Sequence, residues 1–301
     1  MKYLCDSDSV ENLYPSAFSR RIWLIGGTQE SSKIASAIAN TNLPCTISVT
    51  TESARSLYPY APNLNVCVGR FNLNQIEEFL LCEQIVAILD ASHPFAVEIS
   101  HLAIAASQKL NIPYLRYERP VLEQGSQKLR RVSHATSLNG GNPCTRVARL
   151  EQRSVDWGER LDFESLLSGN YLHRQRVLLT VGYRPLHLFQ PWQVRATLFA
   201  RILPSAIALE AAIASGFTPD RLICLRPPIS ADLETALIKQ WDISLLVTKA
   251  NGTPGGEHIK RSVASVLGIP IIVINRPAVG YPQQTSDLSV ALEFCRSACP
   301  N

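Results

Sequence analysis

"IPYLRYERP", Ile112 to Pro120, and "IPIIVINRP", Ile269 to Pro277, are two copies of one strand ending, 157 residues apart from Ile112 to Ile269. Each opens with Ile-Pro, runs through five residues and closes with Arg-Pro. Proline has no N–H to continue a ladder, so both runs read as a strand that is stopped on leaving its sheet. Upstream of the first copy lie "RIWLIGG" (21–27), "TQESSKIASAIAN" (28–40) and "CTISVTT" (45–51), then "FNLNQIEEFLL" (71–81), "QIVAILDAS" (84–92) and "AVEISHLAIAASQKL" (96–110). Apolar strand-like runs alternate with helical periodicity, the pattern of a parallel sheet covered on both faces. Asn72 or Asn74 serves as the cap of the short helix. Upstream of the second copy the order recurs: "QRVLLTVG" (175–182), "ATLFARIL" (196–203), "ISADLETALIKQ" (229–240), "DISLLVTKA" (242–250) and "HIKRSVASVL" (258–267). The offset hardly drifts, being 155 from Gly27 to Gly182, 156 from Arg70 to Arg226 and 157 from Ser92 to Lys249. Period, order and matched endings predict an internal duplication.

The expected architecture is therefore α/β, with two Rossmann-like domains. A polar tail covers 1–20, the first domain 21–120, a linker or loop insertion 121–175 and the second domain 176–301. The insertion, which includes "SLNGGNPCTRVARLEQRSVDWGERLDFESLLSGN" (137–170), is rich in Gly, Asn, Ser and charge. "SDLSVALEFCRSAC" (286–299) reads as a closing helix. With 301 residues, the chain has room for two domains of about 120–150 residues. No run of about 18 apolar residues predicts a membrane span, and the N-terminus lacks the apolar core of a signal peptide. Eight scattered cysteines without a C-x-x-C pair fit reduced thiols in the cytoplasm. A net charge of +4 is too weak to argue for nucleic acid, but it allows a local basic pocket for an acidic small molecule.

Ligands of open parallel sheets bind beyond the carboxyl ends of the strands, where six stretches carry chemistry. In "IGGTQES" (25–31), Gly26 and Gly27 permit a tight turn and Thr28 caps a helix whose N–H groups suit a phosphate. The stretch is not G-x-G-x-x-G, so alone it is a weak dinucleotide signal. "TTESARS" (50–56) stands where a ribose is read. There Glu52 favours a free 2′-hydroxyl, while Thr50, Thr51 and Arg55 favour a 2′-phosphate, with a modest lean to the phosphorylated coenzyme. "DASHPFA" (90–96) offers His93 at a strand end. In the second half, "TVGYRP" carries Arg184, "ARILP" carries Arg201, and "VTKANGTPGGEHIK" carries Lys249 and Lys260 in a Gly-rich loop. That loop resembles a phosphate cradle without P-loop order. Cations at matching strand ends call for an anionic ligand. No Ser-His-Asp order, metal-ligand spacing or paired carboxylates stand out, so the chain reads as a holder of a cofactor and an anionic substrate.

Taken in order, "WLIGGTQES", "SVTT", "LDASHPFA", "IPYLRYERP", "LLTVG", "LVTKANGTPGG" and "IPIIVINRP" closely resemble the precorrin-6A reductase family of cobalamin biosynthesis. The resemblance runs over Arg21–Pro120 and Arg176–Pro277. It implies NADPH-dependent reduction of precorrin-6A or cobalt-precorrin-6A to precorrin-6B, with hydride to C19 and a proton to C18. It also implies two Rossmann-like domains whose last strands are exchanged, so that Ile112–Arg119 completes the second sheet and Ile269–Arg276 the first. The expected coenzyme contacts are Gly26, Gly27, Thr28, Thr50, Thr51, Arg55 and His93, and His93 is the candidate catalytic group. The expected substrate anchors are Arg201, Lys249 and Lys260, with Arg119 and Arg184 behind them. Tyr183 intervenes where the family has Gly-Arg, which puts the role of Arg184 in question. The resemblance is compatible with transient contact with the next enzyme of the pathway. Two rivals remain: a non-catalytic two-domain binder of an anion, separable by ligand closure without turnover, and another nucleotide-using enzyme. Of the latter, an NAD(P)-dependent oxidoreductase stays open, while a glycosyltransferase is disfavoured by the lack of a D-x-D pair.

Overall fold

The computed structural model describes residues 20–122 and 159–299. The expected N-terminal tail, apart from Arg20, and most of the insertion lie outside those residues. The first half folds as β1 (Arg21–Ile25), α1 (Gln29–Ala39), β2 (Cys45–Val49), α2 (Glu52–Arg55), β3 (Leu64–Val68), α3 (Leu73–Cys82), β4 (Ile85–Asp90), α4 (Val97–Leu110) and β5 (Tyr114–Tyr117). After it come β6 (Arg160–Leu161), α5 (Phe163–Ser168), β7 (Arg176–Thr180), β8 (Thr197–Ile202), α6 (Ala206–Ala214), β9 (Leu222–Cys224), α7 (Ala231–Gln240), β10 (Leu245–Lys249), α8 (Glu257–Leu267), β11 (Ile271–Ile274), β12 (Gln284–Thr285) and α9 (Leu288–Ala298). Asn72 is the α3 cap: it accepts from Gln75 N–H while the Gln75 side chain accepts from its own.

The strands form two parallel sheets, ordered β12-β5-β4-β1-β2-β3 and β6-β11-β10-β7-β8-β9. The two orders correspond position by position, as a duplication requires. Gly27 and Gly182, at the turns after β1 and β7, both hold positive φ, a conformation glycine reaches without strain.

Alternation along β1 distributes its side chains to both faces. Ile22 and Leu24 pack with Ile34 and Ile38 of α1 and with Ala291 and Cys295 of α9. Trp23 and Ile25 pack with Phe79 of α3 and Ala103 of α4. In the second sheet, Leu178, Leu246 and Val273 meet Ile238 of α7 and Val263 of α8. Fully buried, strictly parallel strands explain the unbroken apolar runs in the sequence. The described cysteines are free thiols. Burial pushes the Cys295 thiol up to about 12 and that of Cys45 further.

Two expectations are corrected. The chain divides into Met1–Arg119 with Ala278–Asn301, and Pro120–Pro277. The C-terminal segment therefore belongs to the first unit, while β6 and α5, read as linker, belong to the second. The strand exchange also falls one strand later than expected. β5 stays beside β4, and β11 beside β10. The exchanged pieces are the short edge strands: β6 pairs with β11, and β12 pairs with β5. The reason is local. Only Asn111, in the left-handed conformation, and two more residues join α4 to β5. So short a connection lays the strand beside β4 as an ordinary right-handed crossover. Departure to the other sheet waits until Pro120 and Pro277.

Candidate functional site

In the first unit the register brings Ile25 beside Ser48 and Asp90, so three strands end at one level. Thr28 caps the eleven-residue α1 in a reciprocal box with Ser31, and its hydroxyl donates to Ala91 O at 2.8 Å. That bond ties the glycine turn to the loop that follows β4. Gly27 is exposed, and nothing lies within 4 Å of the place its Cβ would take. An open Cβ side at the start of a capped helix suits the pyrophosphate of a dinucleotide, so these residues fit that group, although the Gly27 N–H itself donates to Tyr58 Oη at 2.6 Å. Gly26 has a different task. A Cβ there would lie 2.3 Å from Tyr58 Oη, so the missing side chain seats a tyrosine.

Thr50 and Thr51 are exposed after β2, and Thr51 Oγ1 is 3.2 Å from Ser53 Oγ. Arg55 stands 3.7 Å from Glu52 and donates to Val66 O at 2.9 Å. The two opposed ribose signals are thus an exposed ion pair within one helical turn.

His93 is half-buried, and its Nδ1 accepts from Phe95 N–H at 3.2 Å. Its loop is anchored by a buried network that sequence reasoning missed. Asp90 is fully buried and accepts from Ser92 N–H, Ser100, Tyr114 and Arg116 at 2.6–2.9 Å. Arg116, 1% exposed, also donates to Ser92 Oγ and O and pairs with Glu118 at 2.9 Å. Its guanidinium lies 5.2 Å from the Tyr281 ring centroid. One signal was available: an arginine inside a buried-type strand requires a partner, and Asp90 ends the neighbouring strand.

The expected substrate anchors do not stay together. Arg119 belongs to the first unit and pairs at 2.9 Å with Glu30 in the first turn of α1. Arg201 is half-buried and pairs with Glu234, itself 1% exposed. Lys260 is buried and donates to Gly255 O at 2.8 Å. Burial, followed by the Arg201 charge, lowers its pKa to about 8 against the pull of Glu234 and Glu257. The Gly-rich loop also departs from an anion cradle. Gly252 N–H donates at 2.9 Å to the buried carboxylate of Glu257, which is held by Arg261 at 2.9 Å with Arg160 at 3.9 Å. The amide an anion would need is already taken by an anion of the chain.

Lys249 and Arg184 remain as neighbours. Lys249 is half-buried at the end of β10, while Arg184 is exposed two residues beyond Gly182. Burial and then the Arg184 charge lower the Lys249 pKa to about 8. Two neighbouring cations at a strand end have the charge to attract carboxylates.

Two parallel sheets flanked by helices agree with what similarity to known proteins shows. The chain matches the family model for precorrin-6x reductase CbiJ/CobK over residues 21–296. It is 41% identical over 283 residues to a cobalt-precorrin-6A reductase of Synechocystis sp., covering 93% of this chain and 97% of that one. It is 28% identical over 263 residues to the Priestia megaterium cobalt-precorrin-6A reductase, covering 86% and 92%. The solved structure of CobK precorrin-6A reductase shares the fold, with a TM-score of 0.67 at 22% identity over 93% of this chain and 97% of that one. Because the family match extends from β1 into α9, across both units, the chain belongs to the precorrin-6x reductase family.

Proposed function

We propose that this chain reduces precorrin-6A, in its cobalt-containing form, to the corresponding precorrin-6B with NADPH as reductant. Family membership across residues 21–296 is the observation that carries the reading. The 41% identical relative is named for the cobalt substrate, which favours that form over the metal-free one. When bound, NADPH supplies the hydride for C19, and a proton goes to C18.

The chain's own contribution is binding, orientation and charge. Gly27 N–H and the N-terminus of α1, capped by Thr28, receive the pyrophosphate. Thr50, Thr51 and Arg55 take the ribose end, where a 2′-phosphate replaces Glu52 as the partner of Arg55. The Asp90–Arg116 network holds the Ser92–His93 loop rigid, and His93 stands toward the nicotinamide or the macrocycle. Lys249 and Arg184 take substrate carboxylates, each charge-assisted bond contributing about 1.5–3 kcal/mol. Arg119 pairs with Glu30, Arg201 pairs with Glu234, and Lys260 donates to Gly255 O. No helix among the described residues is long and apolar enough to cross a membrane, and a cytoplasmic enzyme fits that.

The test is anaerobic turnover with metal-free and cobalt-containing precorrin-6A side by side, using NADPH and NADH. Oxidation of NADPH with formation of the reduced macrocycle is expected, faster with the cobalt form. Purified, folded protein that consumes neither coenzyme would refute the proposal.

A further inference from the structure

The Gly27 amide is engaged by a side chain from the loop between α2 and β3. Tyr58 Oη accepts its N–H at 2.6 Å and lies 2.7 Å from Ser31 Oγ. Counting hydrogens fixes the donors. Ser31 Oγ donates to Thr28 O at 2.7 Å, so Tyr58 gives its one hydrogen to Ser31 and receives Gly27 N–H on a lone pair. Burial raises the Tyr58 pKa, so the group is a neutral phenol. Gly26 makes this geometry possible, since any Cβ there would collide with the hydroxyl.

We infer that Tyr58 is the residue a dinucleotide displaces: its hydroxyl holds the Gly27 amide in place of a phosphate oxygen, and coenzyme binding exchanges one for the other. This rests on the reading of the β1–α1 turn as the coenzyme site. One N–H cannot serve a phenol and a pyrophosphate in full at once. The exchange is favourable because a charged acceptor makes the stronger bond. The segment around Tyr58 is able to move, because Leu57, Pro59 and Tyr60 are exposed and α2 is only four residues long. Tyr58 N–H donates to Arg55 O at 3.2 Å, so the residue that plugs the turn is tied to the residue proposed to read the ribose. Engagement of the two ends of the dinucleotide is thereby coupled through one short segment. The Gly-rich loop after β10 in the second unit offers no such exchange, because its Gly252 amide is held by a carboxylate locked between arginines.

The experiment is titration of the full chain with NADP+, by calorimetry and by amide NMR on protein labelled with ¹⁵N-glycine. Tyr58→Phe keeps the ring and removes only the competing hydroxyl. It should bind NADP+ about fivefold more tightly, the size of one neutral hydrogen bond. The Gly27 resonance should move when NADP+ is added to the unaltered protein. An NADP+ affinity that is unchanged or weaker in Tyr58→Phe, with the Gly27 resonance still responding, overturns the displacement and leaves the coenzyme site in place. A Gly27 resonance that ignores bound NADP+ overturns the coenzyme site and the inference with it. Thermal unfolding of Tyr58→Phe checks that the fold is kept.

Discussion

Arg116→Met is the substitution whose cost follows most directly from the geometry. The guanidinium makes bonds of 2.8 Å to Asp90, 2.9 and 3.0 Å to Ser92, and 2.9–3.0 Å to Glu118. Methionine fills the space of the stem but leaves the Asp90 carboxylate fully buried, with only neutral donors from Ser92, Ser100 and Tyr114. Removing one partner of such a pair costs about 3–5 kcal/mol, because the remaining charge has no compensating cation. Arg116→Lys restores a point charge without the fork and should recover only part of that. In Asp90→Asn/Arg116→Met both charges are gone, so the double variant should be less destabilised than the sum of the single ones by about 2 kcal/mol. Urea unfolding followed by hydrogen exchange reads each unit separately, as two units with their own cores need not unfold together. The first unit's transition should fall by about 10 °C or more in a thermal scan, while the second unit's transition stays fixed. A loss below about 1 kcal/mol, the range of exposed pairs, would refute the view that this network holds the strand ends.

Lys249 sets a pH dependence. Its pKa is lowered to about 8, so the ammonium is present below that value and lost as pH rises through it. Substrate affinity should fall over this range in the unaltered enzyme and stay flat in Lys249→Arg, checked by substrate KM against pH. Arg201→Met should lower the second unit's unfolding free energy by about 3–5 kcal/mol and leave coenzyme affinity unchanged, since the residue is paired with the buried Glu234. A raised substrate KM with unaltered stability would return Arg201 to the list of anchors. Truncation after Pro277 should abolish cooperative unfolding of the first unit and spare the second, because β12 and α9 are lost; circular dichroism and limited proteolysis read this directly.

The two sheets were legible because their central strands are buried on both faces and so read as unbroken apolar runs ended by glycine. The edges were not. β3 and β9 bury less, and β6 and β12 are two residues each, too short to carry any pattern. α6, "AIALEAAIA", is apolar nearly all round and has no stripe to betray it. Among the candidate site residues, the glycine turn and Lys249 were legible as strand-end positions, because strand ends mark themselves. What the sequence does not show is the partner each cation meets in the fold: Glu30 for Arg119, Glu234 for Arg201, Gly255 O for Lys260. Glu30 and Glu234 are far from their cations in sequence, and only Gly255 is near its own. Tyr58 is hidden for the same reason, 31 residues beyond the amide it meets.

The paired endings that mark the duplication also show how far the copies have diverged. Arg119 turns back onto the first turn of α1, while Arg276 donates to Ala250 O at the end of the β10 run, so the shared arginine brackets a different ligand-facing turn in each unit. In the first unit that turn carries an amide held by a neutral, removable phenol. In the second it carries one held by Glu257, buried and neutralised by arginines, beside the cations Lys249 and Arg184. A dinucleotide phosphate can replace a phenol without separating charges, whereas replacing Glu257 would strand a buried carboxylate at a cost of several kcal/mol. If the turn after β1 is the coenzyme site as proposed, the Gly-rich loop after β10 is not a second one. The second copy is left with cations suited to the carboxylates of a macrocycle.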